Sequence, residues 1–165
     1  MADADVLFTA HRDGVFRYLC RIVGDEDAQE LTQEVFLRVA RASGPEPGPE
    51  TGEGARRAWV FRIARNLALN HVRDDKRRPQ PEELPQPATL ATQVLATALR
   101  EALEQLTPVD RDVFLMREAG GLSYEEISFA CQLSPDAVRS RLHRARQQLR
   151  TALGAGMGRS DGFWR

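Results

Sequence analysis

The sequence has a single lysine, two cysteines and no long hydrophobic run. Lys76 is that lysine, so 22 of the 23 basic side chains are arginines. Cys20 and Cys131 lack the Cys or His neighbours that a zinc site or a redox motif needs. We therefore expect two buried, reduced thiols and neither a metal nor another cofactor. No apolar stretch approaches the roughly 18 residues that cross a bilayer, and the first residues do not resemble a secretory signal. These features predict a cytoplasmic protein that is not bound to a membrane.

Residue combinations typical of catalysis are also missing. The three histidines, His11, His71 and His143, have no evident partners for a catalytic triad. No carboxylate cluster, metal-ligand set or phosphate-binding glycine loop stands out. We therefore predict that the chain is not an enzyme, with a nuclease as the weakest alternative.

Positive charge is concentrated in two places, although the 165 residues together carry a formal charge of −1. Residues 56–78 contain eight basic and two acidic side chains, and residues 135–150 contain five arginines and one aspartate. Arginine binds phosphates and guanine edges through two parallel hydrogen bonds. A polyanion responds to local patches rather than to the average charge, so the pattern favours a nucleic-acid partner.

Most of the sequence shows the apolar spacing of helices, and two segments rich in proline and glycine interrupt it. Residues 42–55 predict a loop, and the four prolines of residues 78–89 predict an extended linker. The predicted fold is therefore all-α, with two small helical domains joined by a proline-rich linker. We place the domains at residues 1–78 and 93–153, the linker at 79–92 and a flexible tail at 154–165.

The segment LSPDAVRSRLHRARQQLR, residues 133–150, predicts a basic helix. Its apolar residues form one stripe at helical spacing: Val138, Leu142, Ala145 and Leu149. Ser134 suits the N-cap and Pro135 the first helical position. Upstream, Ser123 and Glu126 predict a capping box at the start of a shorter helix. Two helices joined by so short a turn, the second of them basic, predict a helix-turn-helix whose second helix enters a DNA major groove.

Two helical segments of the first half carry polar faces of their own. In residues 27–41, Leu37 lies among acids on the face opposite the apolar stripe, which suggests a partner surface, although stray exposed leucines are common. In residues 59–78, asparagines and arginines share a face with Trp59. Amides pair with base edges, arginines hold phosphates and an aromatic ring stacks on an unpaired base. A solvated polar face, with Trp59 half buried against the core, is the alternative.

The two halves together resemble the extracytoplasmic-function group of bacterial RNA polymerase sigma factors, in the sigma-70 family. Residues 106–150 are similar to the domain that binds the minus-35 promoter element and docks on the flap of the polymerase β subunit. The resemblance implies minus-35 contacts by residues of the basic helix: Arg139, Ser140, His143 and Arg144. Arg141 flanks the same outward face and is expected to contact DNA with them. Gln132 stands in the turn where the family often has glycine.

Residues 27–41 resemble the helix that binds the β′ clamp helices of core RNA polymerase. The implied core-binding residues are Asp27, Glu30, Gln33, Glu34 and Leu37, with Leu31 and Phe36 packing inward. Residues 59–78 resemble the region that melts and captures the minus-10 element. The family's two asparagines correspond to Asn66 and Asn70. The residues that share their face are expected to bind DNA with them: Trp59, Arg62, Arg73 and Arg77.

The resemblance thus implies promoter recognition and opening, with core polymerase and promoter DNA as partners and an anti-sigma factor as a possible third. It is weakest in residues 42–57, where Arg56 occupies a position that is commonly aromatic in the family. Glu46, Glu50 and Glu53 would repel nucleic acid, so this loop is expected to point away from DNA or to read a different base. A stand-alone helix-turn-helix regulator is the alternative function.

Overall fold

The computed structural model describes residues 2–42, 52–75 and 90–154, and this part of the chain is almost entirely helical. Its seven α-helices are α1 (Ala2–Val23), α2 (Asp25–Arg41), α3 (Gly52–Asp75), α4 (Leu90–Glu104), α5 (Pro108–Glu118), α6 (Tyr124–Cys131) and α7 (Pro135–Gly154). No strand occurs among these residues, so the predicted all-α class is confirmed. Within the same ranges, no helix is apolar over a stretch long enough to span a membrane.

Helices α1, α2 and α3 pack together into an N-terminal lobe. Gly24 alone separates α1 from α2, and its φ of 86° lies in the left-handed region that glycine adopts without strain. This residue reverses the chain so that α2 packs back on α1. Tyr18, Val35 and Val60, one from each helix, are fully buried.

Helices α4 to α7 form a C-terminal lobe in which local capping follows the predicted pattern. Ser123 and Glu126 make both hydrogen bonds of a capping box at the start of α6. Ser134 accepts a hydrogen bond from the backbone N–H of Ala137 at the start of α7. All four members of the predicted apolar stripe of α7 are buried. The helix-turn-helix geometry is therefore specified largely by residues close to one another in sequence.

The starts of two helices and the burial of one cysteine differ from the sequence-based expectations. Helix α3 begins at Gly52, so the last residues of the expected 42–57 loop are helical, and α4 begins at Leu90, inside the expected 79–92 linker. Arg57, in the second turn of α3, pairs with Glu126 of the other lobe. Cys131 is buried as expected, whereas Cys20 is only half buried.

The two lobes pack directly against each other. Helix α3 lies along α6, and α1 contacts α5. The buried residues of both lobes belong to one continuous hydrophobic cluster. Phe61 of α3 is 1% exposed and approaches Gly120 so closely that a Cβ on Gly120 would lie 2.7 Å from the phenylalanine ring. The described residues therefore form a closed arrangement of the two lobes.

Candidate nucleic-acid interface

The outward face of α7 presents the side chains predicted to meet DNA. Ser140, His143 and Arg144 are exposed, as is Arg139, which pairs with Asp136 one turn earlier at 2.9 Å. The Arg139 guanidinium also lies over the Tyr124 ring, 5.9 Å from its centroid. Solvent-facing contacts of this kind are weak and can be exchanged for phosphate contacts. The face is therefore accessible to a DNA groove.

The Arg141 guanidinium is turned toward α5. Its Nη1 lies 2.9 Å from Oδ1 of Asp110, a carboxylate whose side chain is only 1% exposed. Nη1 of Arg144 lies 3.6 Å from the other oxygen, Oδ2, which has no hydrogen-bond partner in the described part of the chain. Asp110 therefore holds Arg141 of α7 by a hydrogen bond and attracts Arg144 of the same helix electrostatically.

Asp110 is a functional candidate that sequence reasoning missed. It follows the N-cap Thr107 and Pro108 in the first turn of α5, where an acid is favoured by the helix dipole. An acid at this position is explained by the helix start alone, so the sequence does not reveal that Asp110 also contacts α7. No sequence signal connects it with an arginine that lies 31 positions further along the chain.

The turn of the helix-turn-helix contains a non-glycine residue in the left-handed region. Gln132 has a φ of 56° and ends α6, with its backbone N–H directed to the carbonyl oxygens at the end of that helix. The position expected to be glycine in the family therefore keeps the left-handed backbone even with a side chain. Such a backbone costs a non-glycine residue about 1–2 kcal/mol.

The face of α3 predicted to capture single-stranded DNA is partly accessible and partly covered. Asn66, Asn70 and Arg73 are exposed, and Arg73 donates a 2.6 Å hydrogen bond to the Asn70 amide oxygen. Trp59 and Arg62 are half buried. The predicted contact Arg77 lies outside the described residues, as do Glu46 and Glu50 of the preceding segment.

Glu53, at the start of α3, pairs with a histidine of α1. Nε2 of His11, a buried residue of α1, lies 2.7 Å from Oε1 of Glu53. Burial lowers the pKa of His11, and the nearby Glu53 carboxylate only partly opposes this effect. Glu53 of the 42–57 segment therefore contacts α1, although its side chain remains 62% exposed.

The face of α2 predicted to bind polymerase carries one prominent apolar side chain. Leu37 is 46% exposed, and Glu30 and Gln33 lie on the same exposed side. Leu37 adjoins Phe8 of α1, which is 40% exposed and stacks edge-on against Phe36 with 5.1 Å between ring centroids. The apolar surface thus extends from α2 onto α1, and sequence reasoning did not identify the α1 part.

Other members of the predicted α2 surface have partners inside the lobe. Asp27 lies 3.0 Å from Nε2 of His71 on α3, so it ties α2 to α3. Glu34 pairs with Arg38 on the same helix at 2.8 Å. Leu31 is half buried and Phe36 is buried.

The described residues contain no group of three or more His, Cys, Asp or Glu side chains arranged to hold a metal ion. Both thiols are held in the protonated form, because burial raises the pKa of Cys131 to about 12 and that of Cys20 to about 11. A thiol needs its anion to act as a nucleophile or a metal ligand, so neither cysteine is activated in this arrangement.

The geometry defines a class of protein. It has two helical lobes, a helix-turn-helix whose outward face is rich in arginine, and a second exposed face that combines asparagine with arginine. These are the features of an all-helical DNA-binding protein.

Comparison with known proteins identifies the family. The model of Sigma-70 region 2 matches residues 7–78, and that of Sigma-70, region 4 matches residues 96–149. The chain is 31% identical to the RNA polymerase sigma-H factor of Pseudomonas aeruginosa, over 90% of this chain and 85% of that relative. It is 39% identical to the ECF RNA polymerase sigma factor SigE of Mycolicibacterium smegmatis, over 93% of this chain and 62% of that relative. The chain therefore belongs to the extracytoplasmic-function group of the sigma-70 family of RNA polymerase sigma factors.

Two solved structures share the fold. One is CnrH in complex with the cytosolic domain of CnrY, with a TM-score of 0.71 and 23% identity, covering 93% of this chain and 89% of that one. The other is the sigma factor RpoE of Bartonella quintana in complex with the anti-sigma factor NepR, also with a TM-score of 0.71, at 21% identity, covering 95% of this chain and all of that one.

Proposed function

We propose that this protein directs core RNA polymerase to specific promoters and helps to open them. The observation that carries the proposal is the presence of two separate outward faces with different chemistry. The α7 face carries groups suited to duplex DNA, and the α3 face carries groups suited to unpaired bases. Catalysis of RNA synthesis belongs to core polymerase, and this chain supplies recognition.

Recognition of duplex DNA is assigned to α7 in the major groove of the minus-35 element. The Arg144 side chain is 54% exposed and can form a bidentate contact to guanine or a phosphate contact. Ser140 and His143 lie beside it and extend the surface along the groove. Arg141 has a supporting role in this scheme, because Asp110 holds its guanidinium toward the protein.

Capture of the opened strand is assigned to the α3 face. The amides of Asn66 and Asn70 are exposed and can pair with base edges that become available only when the duplex melts. The Arg73 guanidinium, held on Asn70 in the free protein, is positioned to exchange that partner for a phosphate. Extruding a base costs a few kcal/mol, which contacts to the flipped base offset.

Attachment to core polymerase is assigned to the α2 surface around Leu37. An exposed leucine that adjoins Phe8 and is rimmed by Glu30 and Gln33 has the apolar centre and polar edge of a protein interface. By the likeness of sequence, the partner is the clamp helices of the β′ subunit. An anti-sigma factor is a further possible partner, since the two structural neighbours are complexes, and one of them contains a protein of that class.

The near-neutral net charge of the chain is consistent with a protein that recognises promoters together with core polymerase. Phosphate contacts dominate nonspecific DNA affinity, so a strongly basic chain would bind DNA of any sequence. A formal charge of −1 weakens the overall attraction of the free protein to DNA, although its basic patches remain. Promoter binding then depends on core polymerase, which holds both DNA-binding faces in place.

Leu37 and Leu69 allow a matched test of the core-binding surface. The two leucines are similarly exposed, at 46% and 39%, but lie on α2 and α3. Leu37→Glu is expected to weaken binding to purified core polymerase by at least about tenfold, because it places a charge at the centre of the apolar contact. Leu69→Glu is expected to bind core normally. Equal core binding by both variants, with native helix content, would contradict this assignment.

A further inference from the structure

The recognition helix α7 carries an acid near its start, on the side that is proposed to face DNA. Asp136 is the only acidic residue between positions 133 and 154, and five arginines follow it in that range. Its side chain is 92% exposed. By helical spacing it shares a row with Ser140 and His143, two exposed residues assigned above to the minus-35 surface. Asp136 therefore places a negative charge where the helix is expected to meet a polyanion.

The start of the helix accounts for only part of the presence of this acid. A carboxylate in the first turn interacts favourably with the helix dipole, and Asp136 lies in that turn. The start of α7 is nevertheless capped without it, because Ser134 accepts a hydrogen bond from the backbone N–H of Ala137. Phosphates repel a carboxylate that approaches them. An acid on this face is compatible with DNA binding only if hydrogen-bond donors satisfy it in the groove.

The first such donor belongs to the protein. Nη1 of Arg139 lies 2.9 Å from Oδ1 of Asp136, and the same guanidinium lies over the Tyr124 ring, 5.9 Å from its centroid. A guanidinium has five N–H donors and a carboxylate has about four acceptor positions. One hydrogen bond between them therefore leaves further donors of Arg139 and further acceptor positions of Asp136 available for DNA.

The chemistry of the major groove restricts what these two side chains can read. A carboxylate has no donor, so it cannot pair with guanine or thymine, whose hydrogen-bonding groups in this groove are all acceptors. Cytosine presents its N4 amino group, from which an aspartate can accept. Adenine places the acceptor N7 beside its amino group, which disfavours a carboxylate. Arginine instead donates two hydrogen bonds to guanine. The pair thus combines an acceptor for cytosine with a donor for guanine.

We propose that Asp136 is a specificity-determining residue of the minus-35 surface and selects a cytosine in the upstream element. The N-terminal residues of a recognition helix contact base edges in helix-turn-helix proteins, and Asp136 is the second residue of α7. Arg139, held beside it, binds a guanine in the same or the next base pair. This inference rests on the proposed function, because it requires α7 to lie in the major groove of promoter DNA.

The test measures the base preferences of holoenzymes assembled from core RNA polymerase and the full chain. The probes are a promoter fragment that the native holoenzyme retains from genomic DNA and variants of it with each base at each position of the upstream element. At one position the native chain should prefer cytosine to guanine or thymine by about fivefold or more, the usual effect of one mismatch. Asp136→Ala should reduce that preference to less than about twofold and affect, besides it, at most the adjacent guanine.

Asp136→Asn gives a second result with a definite direction. An asparagine amide pairs with both N6 and N7 of adenine, so the preference at this position should move from cytosine to adenine. The matched control is Glu118→Ala, which removes a carboxylate of α5 that pairs with another arginine of α7, Arg146, at 2.9 Å. The control should keep the native preference at every position. Circular dichroism should show native helix content in all three variants.

Two kinds of result would overturn the proposal and leave the proposed function intact. One is a native holoenzyme that retains discrete fragments without a cytosine preference at any position. The other is an Asp136→Ala chain that keeps the native preferences or changes its affinity equally for all sequences, which would limit Asp136 to the helix start or to general repulsion. A native chain that confers no sequence selection on core polymerase would overturn both the proposed function and this inference.

Discussion

Replacement of Asp110 by asparagine tests how the C-terminal lobe controls the arginines of its recognition helix. The substitution keeps the size and shape of the side chain and removes its charge. Asp110 is completely buried, and its hydrogen bond with Arg141 measures 2.9 Å. The Arg144 guanidinium, 3.6 Å from the second carboxylate oxygen, would lose an electrostatic partner at the same time.

The loss of stability expected for Asp110→Asn depends on how exposed Asp110 and Arg141 are. A hydrogen bond to a charged group contributes about 1.5–3 kcal/mol, and breaking a fully buried ion pair costs about 3–5 kcal/mol. The Arg141 side chain is 31% exposed and can regain water, so we expect about 1–2 kcal/mol. For a chain of this length, that loss lowers Tm by about 2–8 °C. Thermal unfolding followed by circular dichroism measures it.

Asp110→Asn should also alter DNA binding in a definite direction. Two arginines released from the carboxylate become available to phosphates, so nonspecific DNA affinity should rise and its dependence on salt should steepen by about one or two units of the logarithmic slope. Discrimination in favour of the cognate upstream element should fall, because Arg144 is less well oriented. Fluorescence anisotropy with cognate and random duplexes at several salt concentrations measures both effects.

Asp136→Asn provides the matched control for the stability measurement. It makes the same chemical change on an exposed carboxylate that pairs with Arg139 on α7. Exposed pairs contribute little, so its effect on stability should remain within about 0.5 kcal/mol. If Asp110→Asn unfolds at the native Tm and keeps the salt dependence of DNA binding of the native chain, Asp110 does not position these arginines.

Three further outcomes are expected. Arg144→Ala should weaken binding of the holoenzyme to the upstream element by about 1–3 kcal/mol, measured by competition on promoter fragments; an unchanged affinity would place this arginine in solvent. Asn66→Ala should leave duplex binding intact and slow promoter opening in stopped-flow fluorescence, whereas native opening kinetics would remove it from the strand-capturing face. The lowered pKa of His11 means that protonation favours the unfolded chain, so stability should be retained above the ordinary histidine pKa of 6.5 and fall as pH drops below it. His11→Gln should reduce this pH dependence in denaturant titrations between about pH 7.5 and 5.5, and an identical pH profile in the variant would assign the effect to other groups.

The parts of the fold that could be predicted are those determined by neighbours in sequence. The stripe of α7 from Val138 to Leu149 follows from helical periodicity, and the start of α6 follows from the Ser123–Glu126 capping box. Both signals lie within a few helical turns. The family could be recognised because the motifs of each half are also local patterns and follow one another in the order typical of the family.

The parts that could not be predicted depend on residues distant in sequence. Helix α3 extends back to Gly52, into the end of a segment rich in glycine and proline that local rules assign to a loop. Arg57 of α3 is paired with Glu126, which lies 69 positions further along the chain. In the same way, the charge of Arg141 indicates a DNA contact, and only the fold reveals that Asp110 holds it.

The closed packing of the lobes is the largest feature without a local signal. Tyr18, Arg65 and Asp112 are unremarkable in their own segments, and they form a cluster only when α1, α3 and α5 are brought together. Exposed and buried arginines have the same sequence pattern. Charge counting therefore overestimated the number of arginines available to DNA.

The most direct test of the central claim is run-off transcription by core RNA polymerase on a library of genomic fragments, with and without this protein. We predict discrete new start sites that require the protein and share upstream and start-proximal sequence elements. No new start sites, together with sequence-specific DNA binding by the free chain, would contradict the sigma-factor function and indicate a stand-alone regulator.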